Sequence, residues 1–207
     1  MRNTTYKVFI ILIVSICGFI VSCTQSQTDY FNTLPHDILK EGDIVFRRGK
    51  GLASQFVLAA DKYGIYSHTG IVVNVNDTLM ILHAVPGEPD FAGDEDKVKI
   101  DDISSFFMQD RAESGAIMRI KNDTIAGKAA QKALKFYQRK TLFDHTYDLD
   151  DTTKIYCTQL IYHVYNQMGI DLTEGRRTKM NLPGFKGIYI FPSDIQKSSH
   201  LEIIYSF

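Results

Sequence analysis

The sequence predicts an α+β fold, in which antiparallel strands come first and helices are added around them. Two apolar stretches, 67–74 and 78–84, are separated by the turn residues Asn76 and Asp77, a pattern that predicts a β-hairpin. Later stretches carry apolar residues at helical spacing instead, most clearly over 157–168. Strands followed by helices in this order are typical of the α+β class.

The composition fits one globular domain. The chain has 207 residues, and about 185 remain once an N-terminal export segment is set aside, enough for a sizeable core. The 23 Lys and Arg residues nearly balance the 24 Asp and Glu residues, and no long basic run is present. We therefore expect no nucleic-acid partner, because such binding needs a basic surface.

The N-terminus has the pattern of a bacterial export signal. Arg2 and Lys7 are followed by the almost wholly apolar run 8–21. That run is shorter than the roughly 20 apolar residues that a membrane-spanning helix needs. We predict that 1–22 is a signal peptide, with an uncleaved membrane anchor as the alternative.

The export signal ends at a cysteine. Residues 19–23, ending in Cys23, resemble a bacterial lipobox, which implies lipid attachment to Cys23 and cleavage before it. Residues 23–34, rich in Thr, Gln and Ser, are predicted to tether the lipid to a domain over 35–207. Either a lipid or an uncleaved anchor places the domain outside the cytoplasm. The expected location is the cell envelope, periplasmic or surface-facing, with the membrane as a partner through the lipid.

Local patterns predict the elements of the domain in order. The stretch 86–96, rich in Pro, Gly and acidic residues, is predicted to be a loop, and so is the polar, Gly-containing stretch 171–187. Asp101 is expected to cap one helix, and Asp123 or Thr124 the next. The predicted strands are 42–48, 67–74, 78–84, 98–100, 115–121, 187–191 and 201–205, and the predicted helices are 52–60, 102–107, about 124–140 and 157–168.

A single cysteine is left in the domain. Cys17 lies in the export segment and Cys23 at its end, so Cys157 has no partner for an intramolecular disulfide. A free thiol outside the cytoplasm is open to oxidation; it is either an inert buried residue or a reactive one. Cys157 stands where a helix is predicted to begin, and a helix N-terminus favours the thiolate. We therefore expect its pKa to lie below that of a free cysteine.

A reactive thiol needs a base, and two histidines are placed to supply one. His68 opens the apolar run of one predicted strand, and His83 ends the next. Both side chains lie on one face of the hairpin only if the register allows it. Each could equally be a hydrogen-bonded histidine at a strand end.

Four blocks of sequence resemble a known family. The blocks are Glu41 to Gly49, Tyr66 to Val72, Tyr156 to Ile161 and Phe191 to Ile195. They resemble the YiiX/YebB-like family, which belongs to the circularly permuted branch of the NlpC-type papain-like cysteine hydrolases and is related to the lecithin:retinol acyltransferases. The resemblance spans about 41–205, with the blocks in the expected order.

The resemblance implies a fold and a set of site residues. The fold is a circularly permuted papain-like one, an antiparallel sheet or partial barrel packed with helices, in which the histidine precedes the cysteine. Cys157 is implied as the nucleophile and His68 as the general base. The third member of the catalytic set, a polar residue beside the nucleophile and the base, is implied to be His83, with Glu88 as a possible substitute.

Further side chains could assist, and no cofactor is expected. Tyr66 or Tyr156 could donate a hydrogen bond to an oxyanion, or could simply pack beside the site. The histidines and Cys157 lack the close spacing of a zinc site, and a calcium loop at 94–96 lacks the motif's Gly and Glu, so no metal is expected. A polar cluster is expected to line the cleft: Asp144, His145, Tyr147 and Asp148.

Three functions remain open from the sequence. The first is hydrolysis of an amide through a Cys-His acyl-enzyme, with a peptidoglycan stem peptide or another small amide as substrate. The second is acyl transfer or ester hydrolysis on acyl lipids, which the kinship with acyltransferases and the lipid anchor suggest. The third is a non-enzymatic binding module with a structural thiol.

Overall fold

The computed structural model describes residues 36–182 and 185–207, which form eight strands and five α-helices after a short 3-10 helix, His36–Ile38. The strands are β1 Ile44–Gly49, β2 His68–Val75, β3 Thr78–Val85, β4 Lys97–Asp101, β5 Ala112–Ile120, β6 Thr178–Leu182, β7 Phe185–Tyr189 and β8 Leu201–Ser206. The helices are α1 Leu52–Ala60, α2 Ile103–Phe106, α3 Asp123–Gln138, α4 Cys157–Asn166 and α5 Pro192–Gln196.

Six strands form one antiparallel sheet in the order β4-β3-β2-β1-β5-β8. The remaining two, β6 and β7, pair only with each other. Because the large sheet is antiparallel and helices pack on it, the predicted α+β class is confirmed.

Both faces of the sheet are buried, so its central strands are apolar on both sides. On one face, side chains such as Ile44 and Ile71 join the apolar stripes of α3 and α4 in the larger core. On the other face, Val45 and Val72 pack with Phe106 of α2 in a smaller core. The alternation along β1 and β2 follows from the two-residue period of a strand.

The β2–β3 hairpin has the turn that the sequence predicts. Asn76 and Asp77 have φ angles of 50° and 63°, and Val75 pairs with Thr78 across a two-residue loop. Positive φ at both loop residues matches the right-handed twist of the strands, and Asn and Asp tolerate it better than most residues. This turn fixes the register on which the site below depends.

Several sequence predictions need correction. The stretch 171–187 is not all loop, because β6 lies within it and β7 begins there. Helix α2 is capped by Asp102, which accepts from the Ser105 N–H, and not by Asp101. Helix α3 is capped by Asn122 and not by Asp123 or Thr124.

The predictions for the N-terminus lie outside the described residues. They are the signal peptide over 1–22, lipidation of Cys23 and the tether over 23–34. Within residues 36–182 and 185–207, no helix is both long enough and apolar enough to cross a membrane.

Candidate active site

Cys157 and His68 line the same cavity, which has a volume of about 570 Å³. Cys157 is the first residue of α4 and His68 the first residue of β2. The cavity therefore lies where the beginning of a helix meets the beginning of a strand. Charged side chains share the wall with them: Arg47, Glu88, Asp110 and Arg111.

The position of the thiol depends on how α4 begins. Tyr156 is the extended N-cap, and its backbone N–H donates to the Gln159 side chain at 3.2 Å. The amide nitrogen of Gln159, itself buried, donates to three carbonyls of the preceding loop, those of Asp148, Leu149 and Asp151. This one side chain ties the first turn of α4 to the loop, which fixes where Cys157 stands.

Three polar side chains run diagonally across β2, β3 and β4 on one face of the sheet. His68 Nε2 lies 2.9 Å from His83 Nδ1, and His83 Nε2 lies 3.2 Å from Asp101 Oδ2. Room for the first contact comes from Gly70, because a Cβ there would lie 3.2 Å from the His83 Cβ and 2.8 Å from Ile81. The hairpin register thus brings His68 and His83 together.

The contacts assign the proton positions. The ionised Asp101 carboxylate can only accept, so His83 donates from Nε2. A neutral His83 then accepts at Nδ1, and His68 must donate from Nε2. His68 is left with an unprotonated Nδ1, the nitrogen that a general base needs for taking a thiol proton.

Asp101 is a site residue that the sequence analysis missed. Its carboxylate also pairs with Lys99 Nζ at 3.0 Å and with Arg111 Nη1 at 3.2 Å. Burial alone would raise the pKa of Asp101, but the hydrogen bonds from His83 and Lys99 and the charge of Lys99 outweigh it and keep the pKa well below its usual value. Asp101 therefore stays ionised and orients His83.

Both histidines are buried and neutral. Burial, followed by the charge of Arg47, lowers the pKa of His68 well below its usual value. Burial also lowers the pKa of His83, although the Asp101 hydrogen bond opposes it. The ring of Phe106 packs against the pair, with centroids 5.7 Å from His68 and 5.1 Å from His83.

Glu88 has a different role from the one considered for it. It pairs with Arg47 and, at 3.3 Å, with Arg111, and neither histidine is its partner. Arg47 is almost fully buried. Its guanidinium donates to the backbone carbonyl of Phe106 at 2.7 Å and stacks on the aromatic ring of the same residue. A buried guanidinium needs such a carboxylate, so Glu88 neutralises Arg47 beside the site.

The thiol differs from the sequence expectation. Burial raises the pKa of Cys157 to about 11, against the opposing effects of the backbone N–H groups of Thr69, Thr158 and Cys157 itself. The expectation of a lowered pKa was wrong because the burial of the thiol, in a residue that is only partly exposed, outweighs the effect of the helix terminus. No hydrogen bond joins Cys157 to His68 here; catalytic hydrogen bonds often form only in complexes with substrate.

Alkylation should reveal this neutral pair. Because the thiol pKa is raised, iodoacetamide should modify Cys157 at neutral pH roughly a hundredfold more slowly than a free cysteine. The rate should keep rising up to about pH 11. Mass spectrometry of the Cys157 peptide against pH measures this, and a fast plateau extending below neutral pH would show a preformed thiolate instead.

Neither tyrosine singled out in the sequence lines the cavity. The Tyr66 hydroxyl lies 3.5 Å from the Gly115 carbonyl, and the Tyr156 hydroxyl accepts from the Ile190 N–H at 3.4 Å. Both side chains are buried in the larger core. Packing is the role that these contacts support.

A different tyrosine, Tyr147, shares the cavity wall with Cys157. It lines the cavity, and burial, followed by the nearby Cys157, raises the pKa of its hydroxyl to about 12. Its φ of 55° is unusual for a bulky residue. The buried Asp144 stabilises this turn by accepting from the N–H groups of Thr146 at 2.8 Å and Asp148 at 2.6 Å. Of the polar cluster expected to line the cleft, Tyr147 lines this cavity.

Asp101→Asn should impair turnover more than binding. An Asn amide can donate to His83 and reverse its proton positions, which leaves His68 without a free acceptor. By comparison with other triads we expect kcat to fall by roughly one to three orders of magnitude with KM little changed.

Asp110→Asn is the matched control for that variant. It removes a negative charge from the same cavity, but the partner of His83 is Asp101 and not Asp110. The thermal midpoint of each variant shows whether the fold survives. Equal losses of kcat in both variants, or a loss confined to KM, would contradict a positioning role for Asp101.

Comparisons with known proteins agree with the fold. The model of the C92 peptidase family, described as permuted papain-like amidases of the YaeF/YiiX kind, matches residues 38–205. A crystal structure of the metalloprotein YiiX from Escherichia coli O157:H7 superposes with a TM-score of 0.65 and 18% identity, over 81% of this chain and 97% of that one. Among curated proteins none matches significantly.

The donor set of the described residues does not fit a metal ion. Within the described part of the chain, no three His, Cys, Asp or Glu side chains are grouped to hold one. Both ring nitrogens of His83 and the Nε2 of His68 are taken up by hydrogen bonds. In the acidic loop, Asp94 pairs with Lys97 and accepts from the Asp90 N–H at 3.1 Å.

Proposed function

Because the chain belongs to the family of permuted papain-like amidases, we propose that it is a cell-envelope amidase with Cys157 as nucleophile and His68 as general base. One observation carries the proposal. His68 shares a cavity with the thiol, while its far nitrogen is fixed by His83 and Asp101. A base oriented by a hydrogen-bonded third group is the arrangement that activates a nucleophile in acyl-transfer enzymes.

In the first step, the thiol attacks the amide carbonyl while His68 Nδ1 takes its proton. The S–C bond forms and the carbonyl oxygen becomes negative. Because His68 and Cys157 both start neutral, the proton moves during the attack. Asp101 stabilises the imidazolium through His83, since its negative charge lies at the end of the same hydrogen-bonded chain.

The negative oxygen needs donors, and the backbone supplies them. The N–H groups of Thr69, Cys157 and Thr158 approach the sulfur, so they lie close to where the oxygen forms. The Tyr147 hydroxyl is a side-chain candidate on the same cavity wall. A donor of this kind is typically worth about 3 kcal/mol in the transition state.

Collapse of the intermediate completes the reaction. His68 returns its proton to the leaving nitrogen, the C–N bond breaks, and a thioester to Cys157 remains. Water then attacks the thioester with His68 again as the base, and the carboxylic acid and the thiol are released. Each step uses the same nitrogen of His68, which explains why its other nitrogen is held so firmly.

The proposed substrates are small amides of the envelope, including peptidoglycan stem peptides. Arg111, Asp110 and Glu88 line the cavity beside the thiol and suit a substrate that carries charges next to its scissile bond. Acyl transfer or ester hydrolysis on acyl lipids is the second candidate. An apolar cavity that adjoins the first one favours it.

A panel of amide and ester substrates tests the proposal. Purified protein should release amine from at least one small amide, and Cys157→Ala should release none. Faster turnover of esters, or transfer to an added acceptor amine or alcohol, would favour the second candidate. Ligand binding without turnover in the whole panel would support a binding module instead.

The proposed envelope location makes a prediction about Cys23. If lipid is attached there, Cys23→Ser should release the protein from membranes, because the acyl chains supply the anchoring. Fractionation and intact mass of the mature chain measure this. A Cys23→Ser protein that stays on the membrane and retains residues 1–22 would contradict the lipoprotein proposal.

A further inference from the structure

Helix α3 carries a row of basic side chains along one side. Its members, spaced four, three and four residues apart, are Lys128, Lys132, Lys135 and, at the C-cap, Arg139. At about 100° per residue, these positions fall within an arc of roughly 60° around the helix axis and over a length of about 17 Å. Three of the four side chains are exposed and Lys132 is half-buried. We call these four residues the basic row.

No carboxylate among the described residues neutralises the basic row. None of the ion pairs in the described part of the chain includes any of its members. Residues 124–140 contain no Asp or Glu, and neither does the adjacent helix α4. Arg139 donates to the Thr152 carbonyl at 2.9 Å, but the carboxylate of the neighbouring Asp151 accepts from Thr153 instead.

A histidine of α4 is affected by the resulting positive charge. His163 packs against Phe136 of α3, with ring centroids 5.5 Å apart. Burial, followed by the charges of Arg139 and Lys132, lowers the pKa of His163 below its usual value, and no carboxylate opposes them. Two cations of the basic row therefore act together at this point of the surface.

The shape of this surface suits a broad partner better than a small ligand. None of the four side chains lines the catalytic cavity or the apolar cavity that adjoins it. They stand instead on the outside of a helix, which is convex. A row of cations on the polar side of an amphipathic helix is typical of a surface that contacts anionic lipid headgroups.

The chain enters the domain beside the same helix. Gly42 lies so close to α3 that a Cβ there would be 2.6 Å from the Ala126 Cβ. The 12 residues 24–35, between Cys23 and the described domain, can span at most about 40 Å, and α3 itself is about 24 Å long. A membrane that holds the chain near Cys23, through lipid or through an uncleaved anchor, is therefore within reach of the basic row.

We propose that the basic row binds the surface of a membrane that contains anionic phospholipids. The ammonium and guanidinium groups contact the headgroup phosphates and hold α3 against the membrane. This contact fixes which side of the domain faces the lipid, whereas an N-terminal anchor alone leaves the domain free to rotate. The proposal does not depend on the chemistry at Cys157.

Protection of lysines from acetylation tests the proposal on the full-length chain. The protein is reconstituted into vesicles of phosphatidylcholine alone, or of equal parts phosphatidylcholine and phosphatidylglycerol, and a membrane-impermeant acetylating reagent is added. Peptide masses give the rate at each lysine. Lys128 and Lys135 should react roughly threefold or more slowly on the anionic vesicles. The difference should disappear in about 1 M salt, where charges act over only about 3 Å.

Two double variants with the same loss of charge locate the contact. Lys128→Gln/Lys135→Gln should abolish the protection of Lys132, because each cation near an anionic surface is worth about a fivefold change in affinity, or roughly thirtyfold for two. Lys62→Gln/Lys197→Gln removes two exposed lysines beside Tyr63. This second variant should leave the protection of the basic row as in wild type.

Three results would overturn the proposal. Equal acetylation of the basic row on both kinds of vesicle would show that it does not contact lipid. Equal protection of Lys62 and Lys197 on anionic vesicles would show a general effect of the charged surface. Protection by added dextran sulfate on neutral vesicles, with none on anionic vesicles, would assign the basic row to a soluble acidic polymer. Release of amine from an amide is measured separately, so none of these results decides the amidase proposal.

Discussion

Cys157→Ala should lower kcat for amide hydrolysis by roughly four to six orders of magnitude, to the uncatalysed background. The expected loss is this large because the acyl-enzyme cannot form without the sulfur. Substrate binding should change little, since the cavity walls and the charged groups around them remain. Steady-state kinetics with the amide that the wild-type protein turns over fastest measure the effect.

Controls separate chemistry from folding in that experiment. Cys157→Ser keeps a polar atom in the same place and should be nearly as inactive, because a hydroxyl is a far weaker nucleophile than a thiolate. The thermal midpoint and substrate affinity of both variants should stay close to wild type. Retention of more than a tenth of the activity in Cys157→Ala would show that another residue is the nucleophile.

His68→Ala should lower kcat by roughly three to five orders of magnitude. The removed imidazole is the acceptor of the thiol proton and the donor to the leaving nitrogen, so both halves of the reaction are affected. The double variant His68→Ala/Cys157→Ala should have a kcat no lower than that of Cys157→Ala alone, because residues that act as a unit do not contribute additively.

Alkylation of Cys157 shows whether His68 is a neutral base or the imidazolium partner of a preformed thiolate. Both groups start neutral, so the pH dependence of iodoacetamide alkylation should be nearly the same in His68→Ala as in wild type. His200→Ala, which removes an exposed histidine, should match wild type in both hydrolysis and alkylation. An acidic plateau of alkylation that disappears in His68→Ala would establish a thiolate–imidazolium pair and contradict the neutral one.

Much of the fold follows from local pattern. The Asn76-Asp77 turn predicts the β2–β3 hairpin because few residues other than Asn, Asp and Gly adopt positive φ readily. The apolar stripe after Cys157 predicts α4, since it faces the core at helical spacing. The hairpin at 178–189 was missed because β6 and β7 pair only with each other and carry polar residues that read as loop.

The site was only partly predictable, because it depends on pairing between strands. Asp101 is the last residue of β4 and stands beside Asp102, and two adjacent Asp residues before a helix have the pattern of N-caps. Only the register of β3 with β4 places Asp101 diagonally from His83. His68 was identifiable from its place at the start of β2, whereas His83 was expected to end its strand and lies inside β3, which continues to Val85. The contact between the two rings required the β2–β3 register.

The thiol pKa was not predictable from the sequence for another reason. A helix N-terminus lowers a thiol pKa by a local effect that the sequence reveals. Burial acts in the opposite direction through residues distant in sequence, among them Phe143 and Val85, which share the cavity wall with Cys157. The balance between the two effects exists only in the folded protein.

Direct observation of the acyl-enzyme tests the central claim, that Cys157 forms a thioester with His68 as base. The protein is mixed with a substrate amide, quenched in acid within the first turnover, and digested, and the Cys157 peptide is weighed. The account predicts that this peptide gains the mass of the acyl group in the wild type and gains none in His68→Ala at neutral pH. An acyl group on any other residue, or equal acylation of Cys157 without His68, would contradict it.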